Sequence, residues 1–224
     1  MKSKLDIYIG MPKLFNSINA NQNILIIDPD ITNLDKIKKD KSFYSLSKVE
    51  NLYIFNDYID LDNKDNMYFK FNESKFNGPE KDIYLLNYKN LLLLEESIKE
   101  SKSLDSFFNI KEINLEEYYE VILFINKGNP VNIIKGLENI SFIISEIYVN
   151  VPSFDSIWME KLENIFRNLS YKKDEQKKNI WKIDNHFQRL NNLKLLKKHK
   201  LLLKDYQDLN QKLTCINEEI EKLL

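Results

Sequence analysis

Short apolar runs alternate with polar, helix-forming stretches over the first two thirds of the chain. Six of these runs have the length of β-strands and are apolar without strict alternation, which indicates a sheet covered on both faces. They span residues 4–9, 23–28, 51–56, 66–71, 119–126 and 141–149. Helices are predicted at 13–20, next to Pro12, and at 32–39, which begins with a capping-box sequence. This alternation predicts a doubly wound, mainly parallel α/β sheet.

Two segments between the fourth and sixth runs are less regular. Residues 73–103 follow neither period, and we interpret them as an irregular insertion that ends where Ser103 begins a short helix. Asn129 and Pro130 predict a further helix, because asparagine is a good N-cap and proline suits the first helical turn. That helix is expected to end at Gly136 in a left-handed conformation.

The chain changes character after Pro152. Residues 155–224 contain neither glycine nor proline, and their apolar residues recur at spacings of three and four, so helix is expected throughout. The a/d stripe of a coiled coil is formed by Leu195, His199, Leu202, Tyr206, Leu209, Leu213, Ile216, Ile220 and Leu223. The apolar residues at 180–190, which begin with Ile180 and Ile183, follow a different register. We therefore predict an α/β domain at 1–152 and an α-helical coiled-coil tail at 155–224, with a homo-oligomer formed through residues 180–224. The alternative is a helical hairpin that buries its own stripe.

Composition and charge narrow the classes of function. The 224 residues carry a formal net charge of −1, which provides no general attraction to nucleic acid, so nucleic acid is not an expected partner. No apolar run approaches the roughly 20 residues that span a bilayer, and the first residues do not form a signal peptide. We expect a cytoplasmic protein without membrane contact. The single cysteine, Cys215, excludes an intramolecular disulfide and a cysteine-based zinc site, and no metal site is expected.

Three strand ends carry the residues of a nucleotide-binding unit. Gly10 ends the first strand and would let a loop approach a ligand closely. Asp28 ends the second strand, where a carboxylate can accept the hydroxyl groups of a ribose. Asn56 and Asp57 follow the third strand and would contact an adenine ring. The alternative for Asp28 is an Asx-turn with the residues that follow it, and for the others it is an ordinary turn.

Four segments, in this order, resemble the FkbM family of S-adenosylmethionine-dependent methyltransferases. They are Tyr8-Ile9-Gly10, Ile27-Asp28-Pro29-Asp30, Leu104-Asp105-Ser106-Phe107-Phe108 and the strand–turn–helix block at 122–136. The resemblance covers roughly residues 4–150 and implies a Rossmann-like methyltransferase domain. It also implies S-adenosylmethionine as a cofactor held by Gly10, Asp28, Asn56 and Asp57, and methyl transfer to a hydroxyl of a small molecule or a glycan sugar.

Three positions that carry acids in the family hold other residues in this chain. They are Tyr8, Ile125 and Pro130. Asn126 and Lys127 are the polar groups that remain at that place, so they are the candidates for contact with a substrate, and no catalytic residue is assigned. Two functions stay open. One is an active O-methyltransferase, and the other is a catalytically inactive methyltransferase-like scaffold or binding module that oligomerises through its coiled coil.

Overall fold

The computed structural model describes residues 4–12, 22–39, 51–137, 139–152 and 154–183, together with helical positions 198, 201, 202, 204, 206 and 208–213. They belong to two compact units, Met1–Asp184 and Asn185–Leu224. The predicted helix at 13–20 lies outside the described residues.

The first unit has a mixed α/β fold with a largely parallel central sheet, compatible with a Rossmann-like fold. The described strands are β1 (Leu5–Ile9), β2 (Asn23–Ile27), β3 (Asn51–Phe55), β4 (Tyr58–Ile59), β5 (Asp65–Phe71), β6 (Leu93–Lys102), β7 (Val121–Ile125), β8 (Glu146–Val149), β9 (Tyr171–Lys173) and β10 (Ile180–Ile183). The central sheet has the order β3-β2-β1-β7-β8-β10-β9. Strands β1, β2, β3, β7 and β8 are parallel, whereas β10 is antiparallel to both of its neighbours.

The helices described in this unit are short. They are α1 (Ile31–Lys39), α2 (Lys81–Asn87), α3 (Leu104–Ile110), α4 (Pro130–Lys135) and α5 (Met159–Asn168). Single turns of 3₁₀ helix lie at Ser74–Phe76 and Leu115–Glu117, and a π-helical turn at Phe154–Trp158 leads into α5. Helix α3 begins as predicted, because the Ser103 hydroxyl accepts a hydrogen bond from the backbone N–H of Ser106. Helix α4 also ends at Gly136, but that glycine has φ −72° and is not left-handed.

Strands β1 and β2 are buried along their whole length, which explains why their sequences do not alternate. One face of β1 contributes Leu5, Ile7 and Ile9 to the larger hydrophobic core. The opposite face contributes Tyr8 to a smaller core that Leu34 and Ile37 of α1 cover. The strands predicted at 119–126 and 141–149 are shorter than expected, and the second begins only at Glu146.

The interpretation of residues 73–103 as an irregular insertion was wrong. They contain α2 and the ten-residue strand β6, which lies between β4 and β5 in a second, three-stranded sheet. Strand β6 pairs antiparallel with β5 from Asp65 to Phe71, with a bulge near Phe71. A small core of Phe71, Phe76, Tyr84 and Leu91 holds this second sheet to α2.

The domain boundary at residue 152 was also misplaced, and the prediction of helix throughout 155–224 was wrong. Residues between 154 and 183 form α5, β9 and β10, and the two strands complete the central sheet. Ile180 and Ile183, which had been assigned to a helical stripe, are buried in β10. The Trp181 ring stacks on Phe166 of α5 with 4.3 Å between ring centroids, so this segment belongs to the core of the first unit.

In the second unit, the described residues from Lys198 to Leu213 are helical. Leu202, Tyr206, Leu209 and Leu213 of the predicted stripe are among them. Outside the described residues lie Leu195, His199, Ile216, Ile220 and Leu223. The coiled coil therefore stays a prediction. In the part of the chain that the structure describes, no helix has the length and apolar character needed to cross a membrane.

Candidate functional site

The carboxyl ends of five parallel strands meet at one end of the central sheet. Ile9 is paired in register with Ile27 of β2 and with Ile125 of β7, so the residues that follow these strands lie side by side. These following residues are Gly10, Asp28, Asn56, Asn126 and Asn150. The chain runs from β1 outward to β2 and β3, and later returns to the other side of β1 to form β7 and β8, so the strand order reverses here. In open α/β sheets, this reversal point is where ligands usually bind.

The side chain of Lys127 lies across the point at which the strand order reverses, between Gly10 and Asp28. Its chain passes directly over Gly10, since a Cβ atom built on Gly10 would lie 2.5 Å from the Cβ of Lys127. Its Nζ donates to Oδ1 of Asp28 at 2.9 Å and also to Oδ2 of Asp30. The Lys127 and Asp30 side chains are each 5% exposed and that of Asp28 is not exposed at all, so this ion-paired triad is buried.

The Asp28 carboxylate accepts three hydrogen bonds within the protein. Besides Lys127, its Oδ1 accepts the backbone N–H of Asp30 at 2.8 Å, and its Oδ2 accepts the Asn33 amide at 3.2 Å. The bond from Asp30 closes the Asx-turn that was the alternative interpretation of Asp28. Because this side chain is not exposed, a ribose could reach the carboxylate only if the groups that surround it moved.

Asp30 accepts hydrogen bonds from both the central sheet and the insertion. Its Oδ2 accepts from Asn77 at 2.8 Å and from the Tyr68 hydroxyl at 3.3 Å, in addition to Lys127. Burial alone would raise the pKa of this carboxyl, but Lys127, the hydrogen bond from Asn77 and the charge of Lys99 together hold its pKa below the ordinary value. Asp30 is therefore a stable anion that ties the insertion to the end of β2.

An open cleft of about 330 Å³ lies beside the triad. It is lined by Met11, Asp28, Asn33, Ser74, Lys75, Phe76, Tyr88, Asn126, Lys127, Asn150, Val151 and Pro152. Each charged residue in this lining is in an ion pair, because Lys75 is 2.7 Å from Glu73 and the other two form part of the triad. A volume of this size is at the lower end of small-molecule sites.

A chain of amide groups forms one wall of the cleft. The Asn179 amide donates to Oδ1 of Asn150 at 2.7 Å, and Asn150 donates to Oδ1 of Asn126 at 3.0 Å. Asn126 in turn donates to the carbonyl oxygen of Met11 at 3.1 Å. Asn126 and Asn150, which line the cleft, each keep a second N–H and a second lone pair that can serve a ligand, whereas Asn179 also donates to the backbone oxygen of Val149.

The insertion supplies the opposite, aromatic wall. The rings of Phe76 and Tyr88 lie with 4.5 Å between their centroids. The insertion is held close to the loop after β7, because a Cβ atom on Gly78 would lie 3.4 Å from the Cα of Gly128. Asn129 adds a second link, since it donates to Glu80 while its own side-chain oxygen caps α4. The cleft therefore lies between amides of the central sheet and aromatic rings of the insertion.

The residues predicted to contact adenine have partners inside the protein. Asn56 donates to the backbone oxygen of Asp28 at 3.0 Å. Asp57 forms ion pairs with Lys102 and Lys111. Neither residue lines the 330 Å³ cleft, so the structure brings together Asp28, Asn126 and Lys127 but not Asn56 and Asp57.

Several residues of the site were not identified from the sequence. Asp30 and Asn150 carried a usable signal, because each follows a buried parallel strand within three residues. No such signal marked Asn33, Phe76 or Tyr88. Asn33 is on helix α1, and the other two lie in the insertion, so none of them follows a strand of the central sheet.

The arrangement suits binding better than acid–base or metal chemistry. The carboxylates of Asp28 and Asp30 are ion-paired, and neither is placed as a general base facing open space. Within the described ranges, no group of three or more His, Cys, Asp or Glu residues is placed to hold a metal ion. The free hydrogen-bonding capacity of the cleft comes from uncharged amides beside aromatic rings.

Comparison with known proteins assigns no family to this chain. No protein-family model matches it. No solved structure gives a significant match either. The resemblance to FkbM methyltransferases therefore stays a prediction from the sequence.

Proposed function

We propose that the unit Met1–Asp184 is a catalytically inactive, methyltransferase-like domain that binds a small uncharged ligand in its cleft. The observation that carries this proposal is the position of Lys127, which crosses the reversal point of the sheet over Gly10 and ends in a buried ion pair with Asp28. S-adenosylmethionine would need that space for its own chain and Asp28 for its ribose.

The sheet topology supports the methyltransferase-like part of the proposal. A single antiparallel strand inserted beside the edge strand of a parallel sheet is typical of Rossmann-like methyltransferases, and β10 occupies that position here. The loss of catalysis agrees with the sequence, since Tyr8, Ile125 and Pro130 stand where the resembled family has acids. The side chains of Ile125 and Pro130 cannot make the hydrogen bonds that the acids at those positions would make.

The lining of the cleft supports an uncharged ligand. Its two buried charged groups, Asp28 and Lys127, are already paired with each other, so an ionic ligand would have to break that pair to use either of them, whereas Lys75 is in an exposed pair with Glu73. Asn126 and Asn150 can each offer one donor and one acceptor, which matches neighbouring hydroxyls of a sugar or the edge of a nucleobase. Tyr88, whose ring packs against the buried ring of Phe76, adds an aromatic surface for the apolar face of such a molecule.

An active S-adenosylmethionine-dependent O-methyltransferase is the second candidate. The same topology and the proximity of Asp28 to an open cleft favour it. In that case the cofactor would displace Lys127 from Asp28, and proximity to the sulfonium would supply most of the rate enhancement.

Calorimetric titration with S-adenosylmethionine and S-adenosylhomocysteine separates the two candidates. An inactive domain should give no saturable heat up to about 1 mM ligand, whereas a dissociation constant in the low micromolar range or below would contradict our proposal. If binding is seen, Asp28→Asn should weaken it by about 1.5–3 kcal/mol, the range of a hydrogen bond to a charged group.

Ligand-detected NMR with neutral sugars and nucleosides tests the binding role directly. We expect weak, saturable binding that Asn150→Ala removes, because this change breaks the amide wall of the cleft. Asn109→Ala is the matched control, since Asn109 is exposed on α3 and does not line the cleft. Equal loss of binding in both variants, or binding of no compound of either class, would contradict the assignment.

We also propose that the second unit mediates self-association. The support is the a/d spacing of its apolar residues and the exposure of those that are described. Sedimentation of the full chain tests this proposal, and a monomer at about 100 μM would contradict it.

A further inference from the structure

The outer face of the second sheet carries large apolar residues that are open to solvent. Side chains alternate between the two faces of a strand, and the inner face of β5 and β6 buries Tyr68. On the outer face, Ile98 is 69% exposed, Leu94 is 66% exposed and Met67 is 43% exposed. The solvent face of an antiparallel sheet is ordinarily polar, so the packing of the sheet itself does not account for these residues.

The three residues lie near one another. Met67 is directly opposite Ile98 in the register of β5 and β6, which places their Cβ atoms about 5 Å apart. Leu94 lies four residues before Ile98, next to the bulge in this pairing, and about 13 Å from it at the rise of a strand. We call Met67, Leu94 and Ile98 the outer patch.

Acidic residues at the two ends of this face are treated differently. At one end, Glu96 forms an ion pair with Lys81 of α2, so its charge is neutralised within the protein. At the other end, Asp65 and Glu100 are directly opposite each other, and both are exposed. Like charges in opposite positions of a sheet are destabilising.

No cation of the described residues relieves this acid pair. Lys64, which precedes Asp65, lies 3.0 Å from Asp62 instead. Within the described ranges, neither Asp65 nor Glu100 is in an ion pair. The outer patch is therefore an apolar surface with an unneutralised acidic end.

We propose that the outer patch binds an amphipathic helix of a partner protein, with a lysine or arginine of that helix beside Asp65 and Glu100. Charge complementarity selects this partner, because a cation from outside the sheet would neutralise the acid pair. The apolar stripe of the helix would pack on Met67, Leu94 and Ile98. None of these five residues lines the 330 Å³ cleft, so the inference does not depend on the ligand proposed above.

The edge beside the outer patch favours a helix on the face over a strand added to the sheet. The backbone N–H and oxygen of Phe69 in β5 are both bonded to Gly78, at 2.9 and 3.1 Å, so a strand could not continue along that edge. A helix needs no backbone bonds from the sheet, and helices commonly pack on sheet faces. The distance from Leu94 to Glu100 is about 20 Å along β6, which a helix of about 13 residues spans.

Two synthetic helical peptides test the proposal with the full chain. One carries leucines at spacings of three and four flanked by lysines, and the other has glutamate in place of every lysine. In calorimetric titration, the lysine peptide should bind at least tenfold more tightly than the glutamate peptide. Equal affinity for the two peptides, or no binding of the lysine peptide at about 1 mM, would overturn the proposal.

Removal of an apolar side chain locates the binding surface. Ile98→Ser should weaken binding of the lysine peptide about tenfold, because Ile98 is the most exposed residue of the outer patch. The matched control is Ile110→Ser on α3, where Ile110 is 56% exposed, and it should change the affinity less than about twofold. Equal losses in the two variants would contradict the assignment of this surface.

A charge reversal separates binding from a role in the fold. Asp65→Lys places opposite charges across the two strands, so the midpoint of thermal unfolding should rise by up to about 4 °C. The same change should weaken binding of the lysine peptide about tenfold, because one acid of the pair is replaced by a cation. Acids that served only the fold would not give a gain in stability together with a loss of binding.

Glu95→Lys is the matched control for this reversal. Glu95 lies opposite Lys70 on the inner face of the sheet and forms an ion pair with it. The control should therefore lower the midpoint of unfolding and change peptide affinity less than about twofold. A lower midpoint in Asp65→Lys, or an unchanged affinity for the lysine peptide in that variant, would overturn the proposal.

Discussion

Replacing Lys127 with methionine tests how far the site depends on one ammonium group. The change keeps much of the side-chain volume but removes the bonds to Asp28 and Asp30. The two buried carboxylates would then lack the cation that now neutralises them. Removal of one partner of a buried ion pair lowers the free energy of unfolding by about 3–5 kcal/mol. Because Asp30 retains its bonds from Tyr68 and Asn77, we expect the lower end of that range.

Urea unfolding across a range of pH measures this effect and its origin. In the parent protein the pKa of Asp30 is lowered, so its contribution to stability is present at neutral pH and is lost as the pH falls below about 4. In Lys127→Met the cation is gone and burial dominates, which raises the pKa of Asp30. The variant should therefore gain stability relative to the parent as the pH falls from 7 to 5.

A neutral triple variant serves as the control. Asp28→Asn combined with Asp30→Asn and Lys127→Met has no buried charge left at the site, so it should recover most of the lost stability. The reasoning would be refuted if Lys127→Met unfolded within about 1 kcal/mol of the parent at pH 7 with the same pH profile. The triad would then contribute little to holding the end of the sheet together.

Three further predictions concern single residues. Asp6 is buried in β1 and its pKa is raised to about 6, mainly by burial, so the parent should lose up to about 3 kcal/mol as the pH rises from 4 to above 6. Asp6→Asn should lack this loss in urea unfolding, and an unchanged pH profile would count against it. Gly10→Ala should cost more than about 2 kcal/mol in thermal unfolding, because φ is +86° and the new methyl meets Lys127, whereas a neutral effect would show that the loop can shift. Asn129→Ala should lower stability by about 1–2 kcal/mol in chemical unfolding, because Asn129 caps α4 with two hydrogen bonds, and a loss below about 0.3 kcal/mol would contradict this role.

The central strands were predictable because their sequences are short, continuous apolar runs, which indicate strands buried on both faces. Strands β1, β2 and β3 and helix α1 lie where the apolar runs and the capping pattern indicated. Strand β6 was missed because it is largely polar, and its exposed side chains are satisfied by ion pairs with lysines of neighbouring elements. Glu95 pairs with Lys70 of β5, and Glu96 pairs with Lys81 of α2. Hydrophobic periodicity cannot reveal a strand that is stabilised in this way.

Strand β10 was missed although it is apolar, because the spacing of its apolar residues also fits a helix. Ile180 and Ile183 are three residues apart, which fits one face of a helix, and four residues are too few to show the period of a strand. Trp181 is buried as well, so the strand does not alternate. Only its pairing with β8 and β9, which lies outside any local pattern, identifies it as a strand.

The candidate site was predictable in position but not in its contacts. Gly10, Asp28, Asn126 and Lys127 all follow parallel strands, so their common location follows from the fold class. The bond between Lys127 and Asp28 joins residues that are 99 positions apart. It depends on β1 lying between β2 and β7, and no local sequence pattern reports that order.

The hydrogen bonds from Asn179 to Asn150, from Asn150 to Asn126 and from Asn126 to Met11 all run in one direction. Rotating any one amide by half a turn would oppose two donors or two acceptors, so the three orientations are coupled. The carbonyl oxygen of Met11 can only accept, so it fixes which edge of Asn126, and through Asn126 which edge of Asn150, presents oxygen and which presents nitrogen. A substitution at Asn179, which does not line the cleft, would therefore remove one bond of this chain and leave unchanged the donor and acceptor order that a ligand meets.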